Sequence, residues 1–294
     1  MLRILIIVVL LLAAGASPQE ARMKPATAKT VNGAAKSVNH VAAAEYQPSP
    51  SFDEQAELQL LEMANQSRAK AGAPPLQRDE GLMLAARAHA EEMARQQQLS
   101  HQFDGEPSLP RRLSMASPLH LDHAGENVAL DATADQAHRH LMLSPPHREN
   151  LLDASYNVVG FGVIRRGDQL YVVQDFGHSL PAMTTEQTEN AVASAVLRAR
   201  RGAHMPALTR QANVELSRAV CSMAQQDRLG TRSMHHLAQR YSVLSYTNMH
   251  PEVLPASANR LIADRNLKSL AVGVCYARTD TYPGGVYWVG LLFY

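Results

Sequence analysis

Two runs of β-type residues separated by a short polar link constrain the fold of this chain more than any other feature. The runs NVVGFGVIRR and LYVVQDFGH flank GDQ, and both are rich in the residues that strands favour. So short a link between two such runs predicts an antiparallel hairpin. The apolar residues before the hairpin have helical spacing, which predicts helices packed on a small sheet.

Three helical patterns precede this hairpin. Apolar residues recur at spacings of three and four from about Phe52 to Ala71, from Glu80 to Gln98 and from about Ala132 to Leu143. The third pattern stops at two consecutive prolines, which do not continue a helix. The sequence therefore predicts an α+β layered domain over residues 52–180.

The N-terminus has the pattern of a secretory signal peptide. In MLRILIIVVLLLAAGA, Arg3 precedes an apolar run, and Ala14 and Ala16 form an A-x-A cleavage pattern. Residues 1–16 are thus a predicted signal peptide, and the mature protein is expected to be secreted, periplasmic or extracellular. The alternative is a retained membrane anchor, although the run is shorter than the roughly 20 residues that span a bilayer. Residues 17–51 lack a sustained apolar period and are predicted to form a disordered linker.

The charge balance argues against nucleic acid as a partner. Lys and Arg number 28 and Asp and Glu number 27 in a chain of 294 residues. No broad basic surface is implied. A membrane partner is expected only if the N-terminal segment is not cleaved.

The chain has two cysteines, Cys221 and Cys275. Export would place them in an oxidising compartment, where they could pair. Two buried free thiols are the alternative.

The second part of the chain repeats features of the first. RAKAGA at 68–73 matches RARRGA at 198–203, and an amphipathic helix follows each. NLLDASYNVVGFGV pairs with RLIADRNLKSLAVGV, and LYVVQDF with VYWVGLLF. The pattern predicts two tandem copies of one fold, over 52–180 and 186–294, with the second shortened around the counterpart of HAGEN. The alternative is one α/β domain with a helical extension.

Two histidines and a carboxylate lie at loop junctions of the first copy. They are His101 in LSH, Glu126 in GEN and His147 in SPPHREN. Imidazoles with one carboxylate can hold a divalent transition metal and leave a position for water. The spacing differs from that of compact helix-borne zinc sites, and a polar cluster that ties three loops together is also compatible with it.

The order of these motifs resembles the CAP superfamily, also called SCP-like, and most closely its bacterial secreted branch. The resemblance runs from about Leu60 to Gly177 through LSH, DGEPSLPRR, AGENVA, LMLSPPHRENLL, YNVVGFGV and LYVVQDFG. It implies an α–β–α sandwich with a cavity lined by a His/Glu/Glu/His tetrad. In some members this tetrad binds zinc or another divalent cation.

Carried over by motif, His101 and His147 match the two histidines and Glu126 matches the glutamate of GEN. The second glutamate of animal and plant members falls at Ser144. This departure leaves fewer candidates for a general base. The metal ligands implied by the resemblance are therefore His101, Glu126 and His147.

Two main functions compete for a chain of this kind. The favoured one is a non-catalytic module that binds a small apolar ligand or an extracellular protein, because firm catalytic activity is uncommon in the family. The other is a metal-dependent, peptidase-like hydrolase in which Glu126 activates metal-bound water. A third, weaker possibility is a surface structural protein held by an uncleaved N-terminal helix.

Several neighbouring residues are expected to be structural. Asn127 and Arg148 would bond loop carbonyls, and Asn150 would help to hold the turn that carries His147. His89 would be an interior packing residue, and His123, beside GEN, is not favoured as a ligand.

The second copy lacks the three site residues. By sequence alignment, Ser233 and about Ser257 fall where the first copy has its histidines. This copy is therefore predicted to be degenerate, serving as a packing partner, a lid or a recognition surface, with a Cys221–Cys275 bond as a staple.

Overall fold

The computed structural model describes residues 51–294. The predicted signal peptide and residues 17–50 of the predicted linker lie outside the described residues. Ser51, which the sequence assigns to the linker, is the first residue of a short strand. Within residues 51–294 no helix is long and apolar enough to cross a membrane.

The first half of the described chain, residues 51–180, contains five strands and five helices. In chain order they are β1 (Ser51–Phe52), α1 (Glu54–Lys70), β2 (Gln77–Arg78), α2 (Glu80–Gln96), α3 (Leu109–Ala116), β3 (His120–Asp131), α4 (Ala134–Leu143), α5 (Pro145–Leu152), β4 (Val158–Arg166) and β5 (Gln169–Leu180).

The predicted hairpin forms the centre of the first sheet. β4 and β5 pair antiparallel from Val158 opposite Gly177 to Arg166 opposite Gln169. The strand order is β1-β4-β5-β3, with β2 parallel to β4. β3 therefore lies at an edge of the sheet.

Apolar side chains cover both faces of this sheet. One face packs on α1, α4 and α5 through residues such as Leu60, Leu141 and Leu151. The other packs on α2 through residues such as Ala90 and Met93. This arrangement confirms the α–β–α sandwich.

Two glycines of β4 let α2 lie close to the sheet. A Cβ atom at Gly160 would lie 2.1 Å from the carbonyl carbon of Leu82, and one at Gly162 would lie 2.3 Å from that of Ala86. Since these neighbours are backbone atoms, a side chain at either position would push α2 outward.

The segment PPHREN forms a helix of its own. The sequence predicts a turn that carries His147, but Pro145 and Pro146 are the first two residues of α5. Proline suits the first turn of a helix, because the N–H that it lacks has no partner there. The two prolines therefore end α4 and also begin α5.

The second half, residues 181–294, contains a four-stranded sheet and four α-helices. They are α6 (Thr185–Gly202), β6 (Thr209–Arg210), α7 (Val214–Gln225), α8 (Arg232–Ala238), β7 (Ser242–Asn248), α9 (Asn259–Ile262), β8 (Ser269–Ala277) and β9 (Val286–Phe293), with a 3-10 turn at Ala256–Ala258. The strand order is β6-β8-β9-β7. Cys221 of α7 and Cys275 of β8 form a disulfide, so the free-thiol alternative is wrong.

The two halves share an unusual buried arginine. Arg68 and Arg200 are both fully buried near the ends of α1 and α6. The Nε atom of Arg68 donates to the carbonyl of Pro74, and that of Arg200 donates to the carbonyl of Pro206. This correspondence is what a duplication predicts, and the duplication itself stays a prediction.

The order of helices and strands places the part that the second half lacks at α4, whereas the sequence alignment places it near HAGEN. β7 pairs with β9 as β3 pairs with β5, so the strand of HAGEN has a counterpart, and α4 is the helix without one. Ser233 lies inside α8, which follows α7 as α3 follows α2, whereas His101 precedes α3. Ser233 is therefore not the structural counterpart of His101.

Candidate functional site

Two predicted site residues are in direct contact at the β3 edge of the first sheet. Glu126 lies on β3, and its Oε1 is 2.9 Å from Nδ1 of His101, which lies in the loop after α2. His147 lies on α5, and its ring centroid is 6.5 Å from that of His101. We call His101, Glu126 and His147 the β3-edge site.

Hydrogen bonds from amide side chains fix α5 against β3. Asn127 donates to the carbonyl of His147 at 2.9 Å, and Asn150 donates to the carbonyl of Glu126 at 3.1 Å. Arg148 donates to the carbonyl of Met142 at 3.2 Å. The three residues are structural, as expected, but the carbonyls that Asn127 and Arg148 bond lie on helices α5 and α4 and not on loops.

Ser144 contacts the histidine that it precedes. Its Oγ lies 2.8 Å from Nδ1 of His147, so the other ring nitrogen, Nε2, is the one left for a ligand. Burial and the charge of His101 lower the pKa of His147. His147 is therefore neutral, with one nitrogen able to accept, at neutral pH.

Next to the β3-edge site lies a buried cluster, three of whose members, Glu106, Arg112 and Asp175, are not among the residues predicted from the sequence. We use the term buried cluster for Glu126 and four further residues: His89, Glu106, Arg112 and Asp175. Arg112 of α3 pairs with Oε2 of Glu126, and its Nη1 lies 3.7 Å from Oε2 of Glu106. His89 lies 2.6 Å from Oε1 of Glu106 and also bonds the carbonyl of Ser100 at 2.9 Å.

His89 is interior, as predicted, but it acts through polar contacts. It is fully buried, and its Nε2 lies 3.9 Å from Oε2 of Glu126. It thus links α2 to the loop that carries His101.

Asp175 places a second carboxyl group beside Glu126. The two residues are register partners on β5 and β3, and Asp175 is fully buried. Within residues 51–294 neither of its carboxyl oxygens has a hydrogen-bond partner. Burial, reinforced by the negative charge of Glu126, raises the pKa of Asp175 well above its usual range.

The sequence carried a partial signal for this cluster. Glu106 and Arg112 lie in DGEPSLPRR and Asp175 lies in VQDF, within the motifs of the family resemblance. Strand alternation places residues of β3 and β5 on alternate faces. What sequence could not supply was the pairing of β3 with β5, which sets Asp175 opposite Glu126.

Other histidines lie away from the β3-edge site. His123 stacks on Tyr156 and lies 3.7 Å from Asp153. His178 and His250 each lie 2.7 Å from a different oxygen of Asp122.

Glu126, predicted as a metal ligand, has a charged or polar neighbour at each of its carboxyl oxygens. Its side chain is 3% exposed, and its two oxygens face Arg112 and His101. Among the described residues no group of three or more His, Cys, Asp or Glu is arranged to hold a metal ion. Glu126 fits the role of orienting His101, as carboxylates do behind imidazole ligands.

An apolar groove lies between α2 and α3, next to the buried cluster. Its volume is about 580 Å³, and its walls include Leu84, Ala88, Pro107 and Met115. Leu84 is 53% and Met115 is 73% exposed. We call it the α2–α3 groove.

The sandwich and its sequence motifs define the class of this protein. Residues 61–176 match the Cysteine-rich secretory protein family, CAP. The match therefore shows a CAP domain over residues 61–176, about two fifths of the chain.

Proteins similar to this chain come from bacteria. The chain is 29% identical over 157 residues to the uncharacterized protein YkwD of Bacillus subtilis, covering 52% of this chain and 55% of the relative. It thus spans about half the length of that relative.

Two solved structures show the same similarity. An extracellular protein containing an SCP domain from Bacillus anthracis is 24% identical, with a TM-score of 0.40 over 43% of this chain and 41% of that one. A cysteine-rich secretory protein from Staphylococcus aureus is 22% identical, with a TM-score of 0.35 over 46% of this chain and 40% of that one.

Proposed function

We propose that this chain is an exported, non-catalytic CAP protein that binds a small apolar ligand in the α2–α3 groove. The observation that carries the non-catalytic part is the environment of Glu126. Its Oε2 pairs with Arg112, its Oε1 lies 2.9 Å from His101, and its side chain is 3% exposed. A general base needs an oxygen that reaches the proton to be abstracted, and both oxygens of Glu126 are already engaged.

The hydrolase alternative is tested with Glu126→Gln. We expect the wild-type protein to hydrolyse chromogenic esters and mixed peptides no faster than buffer, with or without added Zn²⁺. A wild-type activity that falls at least about 100-fold in Glu126→Gln would establish a catalytic base and overturn this part of the proposal.

The shape and lining of the groove support a small ligand. A concave site of about 580 Å³ lies within the range of about 300–1,000 Å³ typical of small-molecule sites. A protein partner would instead cover about 800 Å² of a broader surface.

The two arginines of the groove disfavour an anionic ligand. Arg95 pairs with Glu92, and Arg112 pairs with Glu126, so both cations have partners. A ligand anion would have to displace one of these carboxylates.

Binding is tested with Nile red, an uncharged apolar dye. We expect saturable binding that Met115→Glu weakens at least about tenfold, because a charge in an apolar site loses its hydration. Leu143→Glu is the matched control, since Leu143 is 75% exposed and lies on α4, outside the groove. Equal affinities of the two variants, or no saturable binding, would contradict the proposal.

The two histidines favour a second candidate function, the binding of a divalent cation. Nδ1 of His101 faces Glu126 and Nδ1 of His147 faces Ser144, which leaves both Nε2 atoms. This is the usual state of metal-ligating imidazoles. Two imidazoles would hold zinc or a similar ion, with water completing its ligand set.

Metal content measured by mass spectrometry tests this candidate. We expect retained Zn²⁺ to be lost in His101→Ala and in His147→Ala, with His140→Ala as the control, since His140 is exposed and bonds Asp131. Wild-type protein that retains no divalent ion after dialysis against micromolar Zn²⁺ would exclude it.

Export rests on the N-terminal sequence and on the disulfide. Arg3 before an apolar run is typical of signal peptides, and the Cys221–Cys275 bond is typical of proteins outside the reducing cytosol. Mass spectrometry of the mature protein should find its N-terminus near Ser17. A mature protein that begins at residue 1 would instead support the retained anchor.

A further inference from the structure

We infer that the second half of the chain is a clamp on α3, in which Arg278 is the positioning residue that keeps Arg112 paired with Glu126. This inference does not depend on what the α2–α3 groove binds. It assigns a role to the half of the chain that lacks the β3-edge site.

The polar and aromatic contacts between the two described halves converge on one segment, residues 111–122. These contacts join Arg111 to Asp280, Arg278 to the carbonyls of Ser114, Ser117 and Leu119, His120 to Tyr276 and Tyr287, and Asp122 to His250. The segment comprises most of α3, the link after it and the start of β3. The second half therefore holds one short stretch of the CAP domain.

Arg278 lies at the C-terminal end of α3. Its guanidinium donates to the carbonyl of Ser114, to that of Ser117 at 2.8 Å and to that of Leu119 at 3.0 Å. The last carbonyls of a helix lack intrahelical partners, and a cation there also complements the helix dipole. Arg278 therefore holds the end of α3 through directed hydrogen bonds as well as through its charge.

The loop that carries Arg278 is itself fastened to the second half. Asp227, just after α7, accepts hydrogen bonds from Oγ1 of Thr279 and from the backbone N–H of Thr281, both at 2.7 Å. The disulfide joins α7 to β8 at Cys275, three residues before Arg278. The clamp is thus attached to a rigid support.

The clamped segment contains one member of the buried ion pair and leads directly to the other. Arg112 lies within it, on α3, and Glu126 lies four residues after its end, on β3. Of the eight residues of α3, Arg112 and Leu113 are buried, so apolar packing alone fixes this helix weakly. When Arg278 holds the end of α3, it also holds Arg112 over Glu126.

The test follows the side-chain N–H signals of Arg112 by NMR in the full chain labelled with ¹⁵N-arginine. Arg112→Lys identifies the signal by its loss. We expect exchange of these protons with water to become at least about tenfold faster in Arg278→Ala, as expected when a buried charge-assisted pair opens. In Arg111→Ala we expect no change, because that arginine joins an exposed partner, Asp280.

Exchange that is unchanged in Arg278→Ala would overturn the inference. General loosening of the fold would also speed hydrogen exchange at the backbone amides of β4 and β5. Faster exchange at Arg112 therefore supports the clamp only if these amides keep their wild-type exchange rates. If Arg278→Ala does not fold, Arg278→Lys decides, because it keeps the charge but loses the forked donors. Faster exchange at Arg112 then supports the clamp, and wild-type exchange rules it out.

Discussion

Replacing Asp175 by asparagine should make the stability of this protein less sensitive to pH. Asp175 is fully buried, and burial together with the charge of Glu126 raises the pKa of its carboxyl group well above the usual range. The folded state therefore keeps a proton that the unfolded chain releases near pH 3.9. Wherever the folded state binds more protons, the free energy of unfolding falls as pH rises.

The magnitude follows from proton linkage. A single group contributes a slope of up to about 1.4 kcal/mol per pH unit between its unfolded and folded pKa values. From pH 5 to pH 7 the wild-type protein should thus lose up to about 2.7 kcal/mol relative to Asp175→Asn. The loss ends where the pH passes the folded pKa, and titrations common to both proteins cancel in the difference.

Urea unfolding followed by far-ultraviolet circular dichroism at pH 5, 6 and 7 measures this difference. Asp168→Asn is the matched control, because Asp168 is exposed in the turn between β4 and β5. We expect the stability of Asp175→Asn relative to wild type to increase with pH and that of Asp168→Asn to stay constant. A constant difference for Asp175→Asn would mean that Asp175 is ionised in the folded protein, and the reasoning would be refuted.

Three further predictions concern the fold. Gly162→Ala should lower the free energy of unfolding by about 1–3 kcal/mol, because its Cβ would lie 2.3 Å from a carbonyl carbon of α2. Gly202→Ala, where a Cβ meets nothing within 4 Å, should have a much smaller effect in the same urea titration, and equal effects would contradict the packing argument. Replacing Cys221 and Cys275 by serine should cost about 2–4 kcal/mol, whereas a urea midpoint that dithiothreitol leaves unchanged would argue against the bond. Arg68→Met should cost about 3–5 kcal/mol by leaving buried carbonyls unpaired, and thermal unfolding within 2 °C of wild type would be incompatible with that role.

Short-range chemistry made much of the fold predictable. The β4–β5 hairpin, the bounds of α2 and the stop at Pro145 follow from local periodicity and from the restricted backbone of proline. Pro146 shows the limit of this reasoning, because whether a proline pair forms a turn or starts the next helix depends on what the following residues pack against. Leu151, fully buried against the first sheet, explains why α5 forms.

The sequence by itself predicted the CAP domain and the three residues of the β3-edge site. The order of the motifs predicted that His101, Glu126 and His147 share one site, because each lies in a short motif of recognisable composition. Sequence could also say that Ser144 replaces a carboxylate, since that is a statement about a single position.

Only the tertiary structure decided what Glu126 faces. Its partners Arg112 and Asp175 come from α3 and β5, and their approach depends on sheet pairing and on helix packing rather than on local propensity. The same holds for Arg278, which reaches α3 from a distant part of the chain. A buried carboxylate takes its chemistry from the charges around it, and those charges converge only once the chain has folded.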